Sequence, residues 1–180
     1  MDENMEFISG VFMPQSAREA FDAANEKHGG VFIPCAFLAS QVVAGLNFAY
    51  LCGAKNDGER LYTVKIYRNL RGDARITSVS PVAFSEKAVI SEKKDGRLLC
   101  GGWNVNTEQN VPLSSEDRSV FDGAIEKNGV GFNPLSVILK SNECRIFLSE
   151  RGGSLYLIKL QAGENGDFQR CSYARLVPFS

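Results

Sequence analysis

The 180 residues are 44% hydrophobic and 23% charged with a formal net charge of −1, the balance of an ordinary globular chain long enough for one large core or two small ones. The even spread of charge offers no basic face to nucleic acid or acidic lipid, and no apolar run approaches the roughly 20 residues of a membrane span. The acidic start, Met1-Asp2-Glu3-Asn4-Met5-Glu6, lacks the parts of a signal peptide and implies a cytoplasmic protein; a secreted mature form with an added Met1 would look the same.

Gly10 precedes a short extended run, 11–14, and Ser16-Ala17-Arg18-Glu19 then has the form of a capping box, in which serine and glutamate cover the first free amides of a helix. Ala17, Ala20, Phe21 and Ala24 give that helix an apolar stripe, and His28-Gly29-Gly30 ends it with glycine ready for a left-handed cap. Val31 to Ser40 is β-branched and aromatic enough for a strand, with Pro34 arguing for an edge or a bulge. Leu46 to Cys52 is the next strand, so 41–45 connects the two. Lys55-Asn56-Asp57-Gly58 turns the chain. Leu61 to Arg68 alternates, with Tyr62, Val64 and Ile66 on one face and Lys65 on the other. Asn69 to Asp73 turns again, and Arg75 to Phe84 returns. One helix and four antiparallel strands result.

The second half repeats the first. Phe121, Glu126-Lys127, Gly129, Phe132 and Pro134 lie 100 residues after Phe21, Glu26-Lys27, Gly29, Phe32 and Pro34. Leu155-Tyr156, Lys159 and Gly166-Asp167 match Leu61-Tyr62, Lys65 and Gly72-Asp73 at an offset of 94, and Phe179-Ser180 echoes Phe84-Ser85. A second helix starts at Ser114 or Ser115, carries Val120, Phe121, Ala124 and Ile125 as its stripe, and ends at Asn128-Gly129. The reading is α+β, two copies of one small domain: residues 1–85 and 98–180, joined by the charged stretch 86–97, a linker or hairpin arm. The change of offset places a six-residue loss between Pro134 and Leu155, where the second copy reads Ser141-Asn142-Glu143-Cys144-Arg145.

The first copy's connection is Gln41-Val42-Val43-Ala44-Gly45. Turns are normally polar; two β-branched valines at a tip are stiff, apolar and hard for their own domain to bury, which suits insertion into a partner's cleft. This pentapeptide, followed by Leu46-Asn47-Phe48, resembles the Gln-x-Val-x-Gly signature and next strand of the cystatin and stefin family, reversible inhibitors of papain-like cysteine proteases, and the order helix, strand, loop, strand is the family's. The resemblance implies two cystatin-like domains, each a helix packed on a curved antiparallel sheet, and a wedge of three edges that fills the protease cleft. Carried across, Gly10 matches the trunk, Gln41, Val43 and Gly45 match the fixed loop positions with Val42 and Ala44 between them, and Leu70, Arg71 and Gly72 lie where the second hairpin turn should be. Many secreted members have Pro-Trp in that turn, a departure that puts part of its apolar contact in question. The lack of a repeated cysteine pair favours the disulfide-free, stefin-like branch. In the second copy the loop is replaced by polar residues, yet Gly101-Gly102-Trp103 resembles the glycine-bearing trunk more closely than Gly10 does and forms a possible second trunk; read without the resemblance, Trp103 is a packing residue.

No residue pattern supports catalysis, a metal or a cofactor. His28, the sole histidine, sits at a helix end and suits a cap. Cys35, Cys52, Cys100, Cys144 and Cys171, an odd number, form no Cys-x-x-Cys pair and read as small buried side chains. Arg71-Gly72-Asp73 is a hairpin turn, since Gly-Asp recurs in the second copy. The expected partner is a papain-like cysteine protease. Two alternatives stand beside it: a latexin-like inhibitor of metallocarboxypeptidases that needs both copies, and a non-inhibitory module binding another protein through its strands.

Overall fold

A computed structural model describes residues 6–7, 13–87, 102–109, 113–128 and 131–177. The elements are β1 (Glu6–Phe7), α1 (Gln15–Lys27), β2 (Phe32–Val43), β3 (Gly45–Ala54), β4 (Tyr62–Arg68), β5 (Ala74–Pro81), β6 (Trp103–Val105), α2 (Ser115–Asn128), β7 (Asn133–Lys140), β8 (Cys144–Arg151), β9 (Ser154–Ala162) and β10 (Phe168–Val177). They form an α+β protein with two helices and two five-stranded antiparallel sheets, ordered β5-β4-β3-β2-β6 and β1-β7-β8-β9-β10.

The stripe on α1 behaves as its spacing predicts. Ala17, Ala20, Phe21 and Ala24 are buried and pack with Phe37, Phe48, Tyr50, Val64 and Ile66; the Tyr50 hydroxyl, sunk in this core, donates to the Ala17 carbonyl at 2.6 Å. The helix ends in a full Schellman arrangement. The Gly30 amide reaches back to the Asn25 carbonyl at 2.8 Å and the Gly29 amide to Glu26 at 3.1 Å, with both glycines at positive φ. The Asn25 side chain then clamps the next strand, donating to the Phe32 carbonyl and accepting from the Phe32 amide.

The helix start departs from the capping-box expectation. Pro14, at φ −54° and ψ 149°, is the N-cap; no side chain caps the helix, and Arg18 donates to the Pro14 carbonyl. A proline fixes φ and has no amide to satisfy, so the helix begins earlier than Ser16, which leaves that serine inside the first turn. Glu19 accepts instead from the Gln15 amide side chain at 2.9 Å. The second helix is capped as read: Ser114 Oγ accepts from the Asp117 amide at 3.1 Å. Phe121, Ala124 and Ile125 are buried in its core, where Phe121 meets Phe147 edge-on at 5.1 Å.

The repeat extends to irregularities of the ladders. Register shifts fall between Pro34 and Ala36 and between Phe37 and Ala39, and again between Pro134 and Ser136 and between Val137 and Leu139. Pro34 therefore sits beside a bulge, on a stretch of β2 that pairs with β3 alone, since β6 reaches β2 only at Ala39, Ser40 and Gln41. The six-residue shortening of the second copy is shared by two turns. Pro34 pairs with Cys52, eighteen residues on, but Pro134 with Ser149, fifteen on; Cys52 pairs with Tyr62, ten on, but Ser149 with Tyr156, seven on.

The chain divides into two compact units, and neither is contiguous: one is Ser9–Val82 with Leu99–Asn106, the other Met1–Ile8, Ala83–Leu98 and Thr107–Ser180. The division differs from the boundaries read from the repeat by an exchange of strands. β1 precedes α1 in sequence but is the outer strand of the sheet on which α2 packs; β6 precedes α2 but is the outer strand of the sheet on which α1 packs. Each short strand covers an edge of β2 or β7 that would otherwise present open backbone groups.

Candidate functional site: one end of the first sheet

β2 and β3 remain paired to their ends, Val43 opposite Gly45, so the sequence 41–45 is mostly strand and Ala44 alone forms the tip. A hairpin reversed in so few residues needs an unusual backbone, and Gly45 supplies it at φ +116°. It also supplies space: a Cβ there would lie 2.4 Å from the Arg68 carbonyl oxygen and 3.0 Å from the Tyr67 ring. Val42 is 73% exposed and Val43 42% exposed. Both valines project beyond any core of their own unit.

The tip is held by a row of side chains that crosses the sheet. Trp103 lies opposite Gln41, Gln41 opposite Asn47, Asn47 opposite Tyr67, and Tyr67 opposite Arg75. Directly opposed residues share a face, and the row above it on the other face, with Phe48 and Ile66, belongs to the core under α1. Asn47 Nδ2 donates to Gln41 Oε1 at 2.8 Å, fixing that side chain of the strand leading to the tip. The Tyr67 hydroxyl donates to the Ala44 carbonyl at 2.6 Å, and the Arg75 guanidinium lies 5.8 Å from the Tyr67 ring centre. Tyr67 thus bonds the apex itself, and sequence reasoning missed it because only the ladder register brings it beside Ala44.

Leu46 pairs with Arg68, so the end of β4 and the turn after it lie beside the tip. In that turn Asn69 Oδ1 accepts from the amides of Arg71 and Asp73, and the Asn69 amide donates to the Asp73 carbonyl. Gly72 takes φ +93°. Arg71 and Gly72 are exposed, and Leu70 stands out at 85% exposure. On the other flank, Gly102 is exposed at φ +78° and Trp103 is half-buried with the Lys65 ammonium 6.0 Å from its ring centre. Asn106 pins the strand that carries it, donating from its amide to the Leu38 carbonyl and from Nδ2 to the Phe37 carbonyl.

Of the residues singled out from sequence, Gln41, Val42, Val43, Ala44, Gly45, Leu70, Arg71, Gly72, Gly102 and Trp103 come together at one end of one sheet; Gly10 and Gly101 lie outside the described residues. The corresponding end of the other sheet is polar. Ser141 Oγ there accepts from the amides of Glu143 and Cys144. The carboxylate of Asp117, nearly fully buried, is paired with Arg145 at 2.9 Å and Lys140 at 2.8 Å.

Cys100 lies outside the described residues. Cys35, Cys52, Cys144 and Cys171 are buried; burial pushes the Cys35 thiol up to about 12 and raises Cys52 and Cys171 as well, so all three stay protonated at neutral pH. His28 is the C-cap of α1 and stacks on Phe32. Among the described residues no group of three His, Cys, Asp or Glu side chains could hold a metal ion, and no helix is long and apolar enough to cross a membrane. No family model, no curated protein and no solved structure matches the chain.

Proposed function

We propose that the chain is a reversible inhibitor of papain-like cysteine proteases, built from two cystatin-like domains, and that the end of the first sheet is its wedge. The observation that carries this reading is the convergence of exposed apolar side chains, the stiff Val42 and Val43 together with Leu70, on two adjacent turns held by Asn47, Tyr67 and Asn69. Rigid apolar tips lose little freedom on docking and gain by leaving water. A wedge of this kind fills the cleft on both sides of the catalytic cysteine and offers it no peptide bond, so the inhibition is noncovalent. An interface of roughly 1,600 Å² in total is the size expected of protease–inhibitor pairs.

The test is Val43→Asp in the full chain. A carboxylate forced into the cleft would lose its hydration without a partner. Papain inhibition should disappear while the thermal unfolding curve stays in place; a collapsed fold with Val43→Asp would make Val43 a packing residue and overturn the proposal. The competing reading is a latexin-like inhibitor of metallocarboxypeptidases that needs both copies. That activity would survive Val43→Asp.

A further inference from the structure

We infer that Trp103, on the strand that follows the linker, is the third contact edge of the wedge and docks in an apolar pocket flanking the protease cleft, so that the binding site is assembled from both sequence copies. The inference rests on the inhibitor reading. By resemblance the third edge belongs to the run before α1 that follows Gly10, and 8–12 lies outside the described residues. The short strand ahead of that run, Glu6–Phe7, pairs with Lys140 and Leu139 in the other sheet. The place beside the apolar tip is taken by β6, which pairs with β2 at Ala39, Ser40 and Gln41.

Three features make Trp103 a contact residue and not only a filler. Its ladder position is opposite Gln41, two residues from Val43 on the same strand face, which sets the indole next to the tip. The ring is half-buried, its position fixed by pairing and by the nearby Lys65 ammonium, so a large rigid apolar surface is partly open and already ordered. Immediately before it, exposed Gly102 takes φ +78°, a conformation suited to glycine that turns the chain where the ladder ends. Tryptophan so placed is the side chain most often found as an interface anchor. The second copy, whose own tip is polar, thereby keeps a role: it donates the trunk.

Trp103 is the sole tryptophan in the chain, so full-length protein grown with 5-fluorotryptophan gives one ¹⁹F resonance. Papain inhibition and that resonance are measured on the same sample, with Trp103→Ala and Trp103→Phe in parallel and circular dichroism melting as the check on folding. The expected result is a shifted, broadened resonance on adding papain, an inhibition constant raised more than about tenfold by Trp103→Ala, and partial recovery with Trp103→Phe. Inhibition accompanied by an unmoved resonance, or an unchanged constant for Trp103→Ala, overturns the inference and leaves the inhibitor reading standing. A well-folded chain that does not inhibit papain at all overturns both.

Discussion

Gly45→Ala tests the geometry on which the whole site depends. Two costs meet at this position. The backbone sits at φ +116°, where an alanine is strained by about 1–3 kcal/mol, and the added methyl would lie 2.4 Å from the Arg68 carbonyl, an atom of the β4 backbone that cannot swing aside. Moving the strands apart to relieve the contact costs roughly 1–3 kcal/mol more, as for other overpacked sites. The comparator is Gly30→Ala, where φ is +68° but nothing lies within 4 Å, so only a conformational penalty of about 1 kcal/mol applies. Urea unfolding followed by Trp103 fluorescence reports the unit that contains both glycines and β6, and the midpoint shift at constant slope gives the difference. Gly45→Ala should cost about 1–5 kcal/mol more than Gly30→Ala and should weaken protease binding. Equal costs at the two sites would mean that the tip does not press against β4, and the account of its rigidity would fail.

Tyr67→Phe removes only the hydroxyl that holds the Ala44 carbonyl; global stability should move by less than about 1.5 kcal/mol, while faster dissociation from papain should appear in stopped-flow or surface measurements. Asp117→Asn removes the charge that pairs with Arg145 and Lys140 under the start of α2, and with the Lys140 side chain 38% exposed the loss should be about 1–3 kcal/mol in far-ultraviolet circular dichroism melts. Inhibition should persist at temperatures where the variant stays folded. Raising pH should destabilise the fold through its buried thiols. Cys35 titrates near 12 when folded against a starting value of 9.0, so its contribution is intact below about pH 9 and is lost as pH rises toward 12, because the unfolded thiol ionises first. Urea midpoints measured from pH 8 to 11 should fall, and Cys35→Ala should fall less steeply.

Much of the fold is legible in the sequence because its signals are local or periodic. The α1 stripe, the Gly29-Gly30 ending and the Pro34 bulge each follow from side-chain spacing or from one residue's restricted backbone. The tip residues stand out for the same reason: valines at a reversal contradict the usual chemistry of turns. What escapes the sequence is relational. Two- and three-residue strands such as β1 and β6 have no readable period, and which sheet edge each one covers depends on the folded chain, so the exchange is not visible in 1–10 or 101–105. The row from Trp103 to Arg75 joins five strands and becomes apparent only once the register is fixed. Pro14 shows the limit of motif matching, since a proline one residue before Gln15 starts the helix ahead of a well-formed but unused capping box.

The most direct measurement is steady-state inhibition by the unmodified full chain, run in parallel against papain and against a metallocarboxypeptidase under reducing conditions. The account predicts tight, reversible inhibition of papain in the nanomolar range, competitive with substrate, and none of the carboxypeptidase. Inhibition of the carboxypeptidase alone, or of neither enzyme by a chain that melts cooperatively, would contradict it and leave the apolar tip without a protease to fill.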